Sequence, residues 1–280
     1  KRLLLLYTIA GILSGIAALF QFVVIFTYIR FKSMRKKSFE MVFILSICSI
    51  FANAAYLIQH KNDTGSVICT TQGFLLNFFC MSMFIWTTWI SYCLYCSVVL
   101  QKASPSRWFM HSLTWGLCSV LSLVPIFTKS YGDAGPWCWI RDGTHGSILR
   151  FVCFYIPLWM GFGINFFFYF MVARTLRRYA AMSDVESGNS SKETTQQQHR
   201  LLKMANHLQW YPLIFVVSWA ANTFIRVLQA IHPAYSSSFT LAFIHVLCDG
   251  TFYQSVGNVL AYGLNGPVRR EWAQLWSTIK

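Results

Sequence analysis

Three residues of one apolar stretch carry chemistry that hydrocarbon does not tolerate lightly: Trp219, Asn222 and Arg226. Their spacing of three and four puts them on one face of a helix. A charge deep in an apolar helix is costly and marks function or an ion pair. Asp249, in a later apolar stretch, is the carboxylate that can meet Arg226. Two roles suit the arginine: a structural pair with Asp249, or contact with an anionic or polar ligand. Lys129, Arg141 and Arg150 lie near the same end of the chain's apolar segments and favour an acidic ligand. Trp89 and Trp139 are further aromatic candidates for the same site.

Bond-making chemistry is not indicated. The nine cysteines form no pair of CxxC motifs, and His111, His207 and His245 form no HxxxH pair, so no metal set is expected. The stretch Phe239–Gly263 has no lysine for a retinal Schiff base. No serine triad, phosphate loop or paired catalytic carboxylates stand out, and nothing asks for a cofactor.

The elements that hold these residues follow from composition. Of 280 residues, 55% are hydrophobic and only 11% charged. A soluble chain so poor in charge could not cover its surface. About 20 apolar residues span a bilayer as a helix. Seven such spans are read: Leu3–Ile29, Phe39–Gln59, Cys69–Leu100, Trp108–Thr128, Ile148–Leu176, Met204–Ile231 and Phe239–Gly263. The expected fold is an all-α membrane protein. Residues 1–263 form a seven-helix bundle, and residues 264–280 form a short amphipathic helix. In that helix Val268, Trp272, Leu275, Trp276 and Ile279 make one apolar stripe.

The net charge of +14 reads as topology rather than affinity for nucleic acid. Of the 23 basic residues, 16 fall on the side of the first, third and fifth connectors and the C-terminus. That side is expected to be cytoplasmic and to touch anionic lipid. The N-terminus is then extracellular. Arg177, Arg178, Arg200 and Lys203 flank the inner end and are candidates to face a cytoplasmic partner. Pro212 breaks the ladder of span six and is the candidate hinge. Pro157 does the same in span five.

Cys69 and Cys138 both fall on the outer side, where disulfides form. A bridge between them is expected, with two free thiols as the alternative. Asn62-Asp63-Thr64 is an outer glycosylation sequon; Asn189-Ser190-Ser191 falls on the inner side.

Seven spans, an outer N-terminus and a cysteine staple resemble a G-protein-coupled receptor. Trp137-Cys138-Trp139-Ile140 is similar to the Trp-Cys-Trp-Ile element of the slime-mould cyclic-AMP-receptor-like family and its animal relatives. So are Tyr211-Pro212-Leu213-Ile214-Phe215 with Trp219, Asn222 and Arg226, and the end of the chain with Asn258 and residues 265–272. The acidic-Arg-Tyr triplet of rhodopsin-like receptors is replaced by Ser97-Val98-Val99 and its neighbours. The resemblance implies a plasma-membrane receptor with an extracellular small-molecule ligand and a heterotrimeric G protein as partners. A small seven-helix transporter or channel is the competing reading from hydropathy.

Overall fold

In lipid a backbone finds no partner but itself, so long apolar runs close their hydrogen bonds as helices. The computed structural model describes residues 2–58, 65–135, 137–141, 143–185, 210–232 and 238–279. Asn62, Arg200 and Lys203 lie outside them. Among the described residues six helices are long and apolar enough to cross a membrane. In chain order the helices are α1 (Arg2–Arg30), α2 (Lys37–Tyr56), α3 (Val67–Tyr95) and α4 (Arg107–Phe127). Then come α5 (Thr144–Arg150), α6 (Ile156–Val185) and α7 (Trp210–Ile231). A π turn over Phe151–Tyr155 joins α5 to α6 as one fifth span. Pro157 lies just beyond it, where its missing N–H and its ring disturb the regular ladder.

The seventh span departs from the single helix expected over Phe239–Gly263. It is two helices, α8 (Phe239–Leu247) and α9 (Gly250–Gly263), broken at Cys248–Asp249. Asp249 causes the restart: its Oδ1 accepts from the Thr251 N–H at 2.8 Å, an N-cap inside the membrane. The chain ends in α10 (Gly266–Ile279). Its Trp272 Nε1 donates to Thr27 Oγ1 at 3.1 Å, which ties it to the end of α1, and its Val268 is buried.

The interior is not wholly apolar. Gln21 donates to the Ser255 carbonyl at 2.7 Å, and Asn53 to Ser255 Oγ at 3.0 Å. Spans one, two and seven are therefore joined by hydrogen bonds as well as by packing. Span three is the central post: it contacts α2, α4, α6, α7 and the connector that follows α4.

Candidate ligand site

The connector between spans four and five folds into a hairpin that sequence reading left without structure. Strand β1 (Tyr131–Asp133) pairs antiparallel with β2 (Cys138–Ile140). Its turn is set by Asp133, whose Oδ1 accepts from the Gly135 N–H at 2.9 Å, with Gly135 at φ 103°. Cys138 is bridged to Cys69 at the start of α3, with Cα atoms 5.3 Å apart. Gln72, one turn further on, accepts from the Cys138 N–H at 2.9 Å and donates to the Ala55 and Ile58 carbonyls. Gly73 lets Tyr131 lie against the helix: a Cβ there would stand 2.5 Å from the ring. Burial holds the Tyr131 phenol well above its ordinary range, so it stays a donor, to the Ser122 carbonyl at 3.0 Å.

Alternation along a strand sends Trp137 and Trp139 to the face opposite Cys138. Both rings therefore drop into the mouth of the bundle. Trp137 meets Tyr56 and His245, each with ring centroids 5.0 Å away. Trp139 meets Phe154 at 5.0 Å, and its Nε1 donates to Asn77 Oδ1 at 3.1 Å. Beneath them is a cavity of about 30 Å³, bounded by Leu76 and Cys80 of α3, Phe154 and Tyr155 of span five, and Trp219, Asn222 and Arg226 of α7. That is room for one or two waters.

Arg226 is the charge in this cavity. It is only 6% exposed. Its Nη1 donates to Gln229 Oε1 at 2.9 Å, while Nε and Nη2 are buried without a hydrogen-bond partner. The guanidinium carbon lies 5.7 Å from the Trp139 ring centroid, and that of Arg150 lies 5.5 Å from the same ring. Two cations thus converge on one indole, a contact that its π face favours. An ion pair joins Arg107 to Glu40, far from here.

The expected pairing of Arg226 with Asp249 is not formed. Asp249 turns to the N-terminus of α9, whose N–H groups and dipole give the carboxylate its positive partner. Asn222 has a different task from ligand contact alone. In the amide orientation that satisfies both neighbours, its nitrogen donates to the Cys248 carbonyl at 2.8 Å and its oxygen accepts from the Gly250 N–H at 3.0 Å. It bridges the two halves of the seventh span. Gly250 makes this approach possible, since a Cβ there would sit 2.7 Å from Trp219. Trp219 Nε1 donates to Gln254 Oε1 at 2.8 Å, and Gln254 donates on to Thr87 Oγ1 at 3.2 Å.

The structure thus brings Trp139, Trp219, Asn222 and Arg226 together and leaves Trp89 and Asp249 off the cavity wall. Trp89 donates to Thr114 Oγ1 at 3.0 Å and packs on Phe109. It lies nine residues from Cys80, about half a turn away round the helix, and so faces span four. Pro212 is in the first described turn of α7, beside a small gap lined by Ser91, Leu94, Phe168, Tyr169 and Val172. Arg177 and Arg178 are exposed near the far end of α6. Tyr56, Trp137, Phe154, Tyr155 and His245 were not expected in the site. For Trp137 the signal was present: two tryptophans flanking one cysteine share a face of any strand.

Comparison with known proteins agrees with this architecture. The slime mold cyclic AMP receptor family matches residues 2–274. "G-protein coupled receptor 1" of Arabidopsis thaliana is 34% identical over 88% of this chain and 74% of its own length. "Cyclic AMP receptor-like protein A" of Dictyostelium discoideum is 32% identical over 51% of this chain, which spans 38% of that relative. Squid rhodopsin shares the fold, with a TM-score of 0.75 at 17% identity over 98% of this chain and 85% of its own. The chain belongs to the slime mold cyclic AMP receptor family, whose members are receptors of the G-protein-coupled type.

Proposed function

We propose that this family member takes an anionic small molecule at Arg226 from outside the plasma membrane and passes the signal to a heterotrimeric G protein. The N-terminus and hairpin are then extracellular and the C-terminus cytoplasmic. The distribution of 16 of 23 basic residues supports this orientation. The reading is of a receptor, not an enzyme.

One observation carries it: the Arg226 guanidinium is buried at the cavity with Nε and Nη2 unpartnered. A guanidinium stays charged in a protein. Leaving it buried and unpaired costs several kcal/mol, about 3–5 in measured cases. An anion that closes on it removes that cost. The cavity of about 30 Å³ is too small for a metabolite, so Trp137 and Trp139 must move aside to admit one. The hairpin is the lid, and Cys69–Cys138 is its fixed end. Trp219 on the cavity wall joins spans three, six and seven through Gln254 and Thr87. A ligand that displaces Trp219 alters all three, and its preference for one arrangement shifts the population toward G-protein binding.

The test is nucleotide exchange by a panel of G proteins on the purified receptor in liposomes, with cyclic AMP and other anionic metabolites as probes. Cyclic AMP comes first because three of the relatives bear it in their names. The expected result is ligand-dependent exchange, weakened at least about 30-fold in Arg226→Gln. No exchange on any G protein, with measurable solute flux instead, would replace the receptor by the transporter or channel reading.

A further inference from the structure

Arg174, Arg177 and Arg178 stand within five residues on α6. The face of α6 turned to the bundle buries Leu158, Asn165, Val172 and Leu176. At about 100° per residue, the three arginines lie roughly 115–175° round the helix from that face. The sector they share holds Met160, Phe166, Phe167 and Phe170, which are 61%, 70%, 52% and 54% exposed. Exposed rings on a membrane-crossing helix face acyl chains. The arginines therefore terminate a lipid-facing stripe and do not line the crevice between the span ends. With Tyr169, Phe170 and Ala173 they form an open groove of about 520 Å³. Among the described residues no carboxylate is paired with any of them.

We propose that this groove is a headgroup site for a lipid that carries several phosphates, of the phosphorylated inositol class. Guanidinium forks match phosphate oxygens two at a time. Three cations within little more than one helical turn suit a multiply charged headgroup better than the single net charge of phosphatidylserine. Phe166 and Phe170 lie one to two turns toward the bilayer centre, against the chains of the same lipid. The proposal gives Arg177 and Arg178 a lipid partner as an alternative to the cytoplasmic protein expected from sequence. It rests on the orientation proposed above, which puts these residues at the inner leaflet.

The experiment is native mass spectrometry of the full chain in phosphatidylcholine nanodiscs. Phosphatidylinositol bisphosphate and phosphatidylserine are titrated separately. The bisphosphate is expected to bind at least about tenfold tighter. Each basic residue contributes roughly fivefold at an anionic surface. Arg177→Gln should then lose about fivefold, and the triple variant Arg174→Gln, Arg177→Gln, Arg178→Gln about 100-fold. The pair Lys32→Gln, Arg35→Gln in the first connector should stay within about twofold. Unchanged binding in the triple variant overturns the proposal, as does equal affinity for phosphatidylserine. So does a triple variant that keeps the lipid but loses nucleotide exchange in pure phosphatidylcholine, which would make the groove a G-protein contact. The binding titration uses neither agonist nor G protein, so its failure is distinct from failure of the receptor reading.

Discussion

Replacing Asn222 by alanine strands two buried backbone groups at once. The Cys248 carbonyl loses its donor at 2.8 Å and the Gly250 N–H loses its acceptor at 3.0 Å. Asn222 is 3% exposed, so water does not take the place of the amide without rearrangement. Each unsatisfied buried group costs about 1–3 kcal/mol. The two together cost roughly 2–6 kcal/mol. At about 2–4 °C per kcal/mol, the conversion for soluble domains of 150–250 residues, the melting temperature should fall by about 10 °C. Asn222→Asp keeps the acceptor for Gly250 but sets a carboxylate against the Cys248 carbonyl, so it should be no more stable than the alanine variant. The assay is thermal unfolding of purified receptor followed by the summed fluorescence of its eleven tryptophans. An alanine variant that melts within about 2 °C of the parent refutes the reasoning. If that variant also loses ligand response, Asn222 belongs to the ligand and not to the seventh span.

Three further outcomes follow from the same geometry. Cys69→Ser with Cys138→Ser opens a loop spanning 69 residues, a loss of about 4 kcal/mol on the chain-entropy model; reductant should lower the parent's melting temperature and leave the variant's unchanged. Gly73→Ala forces Tyr131 from its seat on α3 at a cost of about 1–3 kcal/mol, and pairing it with Tyr131→Ala should recover part of the loss in the same melt. Trp89→Phe removes one hydrogen bond to Thr114, worth about 1 kcal/mol, and should leave the dose–response curve for any agonist in place; a shift of tenfold or more would return Trp89 to the ligand site.

The spans were legible because hydrocarbon imposes length and polarity on every crossing segment, and 27 residues from Leu3 to Ile29 without a charge admit few other readings. The α7 stripe was legible for the same reason that i, i+3 and i+4 positions share a face: Trp219, Asn222 and Arg226 all reach the cavity. What Asp249 does was misread. An aspartate before Gly250 and Thr251 is also a helix-start signal, and it competes with a distant arginine for the same carboxylate. Trp89 drew notice by its size, and its ring faces span four instead of the cavity. The side chains that span three gives to the cavity are Leu76 and Cys80, whose smallness makes the space. The break in span seven and its repair by Asn222 are tertiary facts, because the acceptor and the donor lie 26 and 28 residues from the amide that joins them. The hairpin had local signals in Asp133 and Gly135, but three-residue strands are too short to show a pattern.

The amide of Asn222 also sets the mechanics of the sixth span. It fixes α7 to both halves of its neighbour at one level, and the Trp219–Gln254 bond adds a second tie one turn away, so a tilt of α7 that keeps both bonds pivots about this short segment. Asn222 is then a fulcrum, and the segment from it to Trp210 is the lever arm, 12 residues or about 18 Å long. A tilt of about 15° would carry the end of that arm through about 5 Å while the backbone of Arg226, one turn beyond the pivot, moves by about 1.6 Å. On the proposed ligand reading, a small closure around an anion at Arg226 would be geared to a displacement about three times larger at the opposite end of the helix.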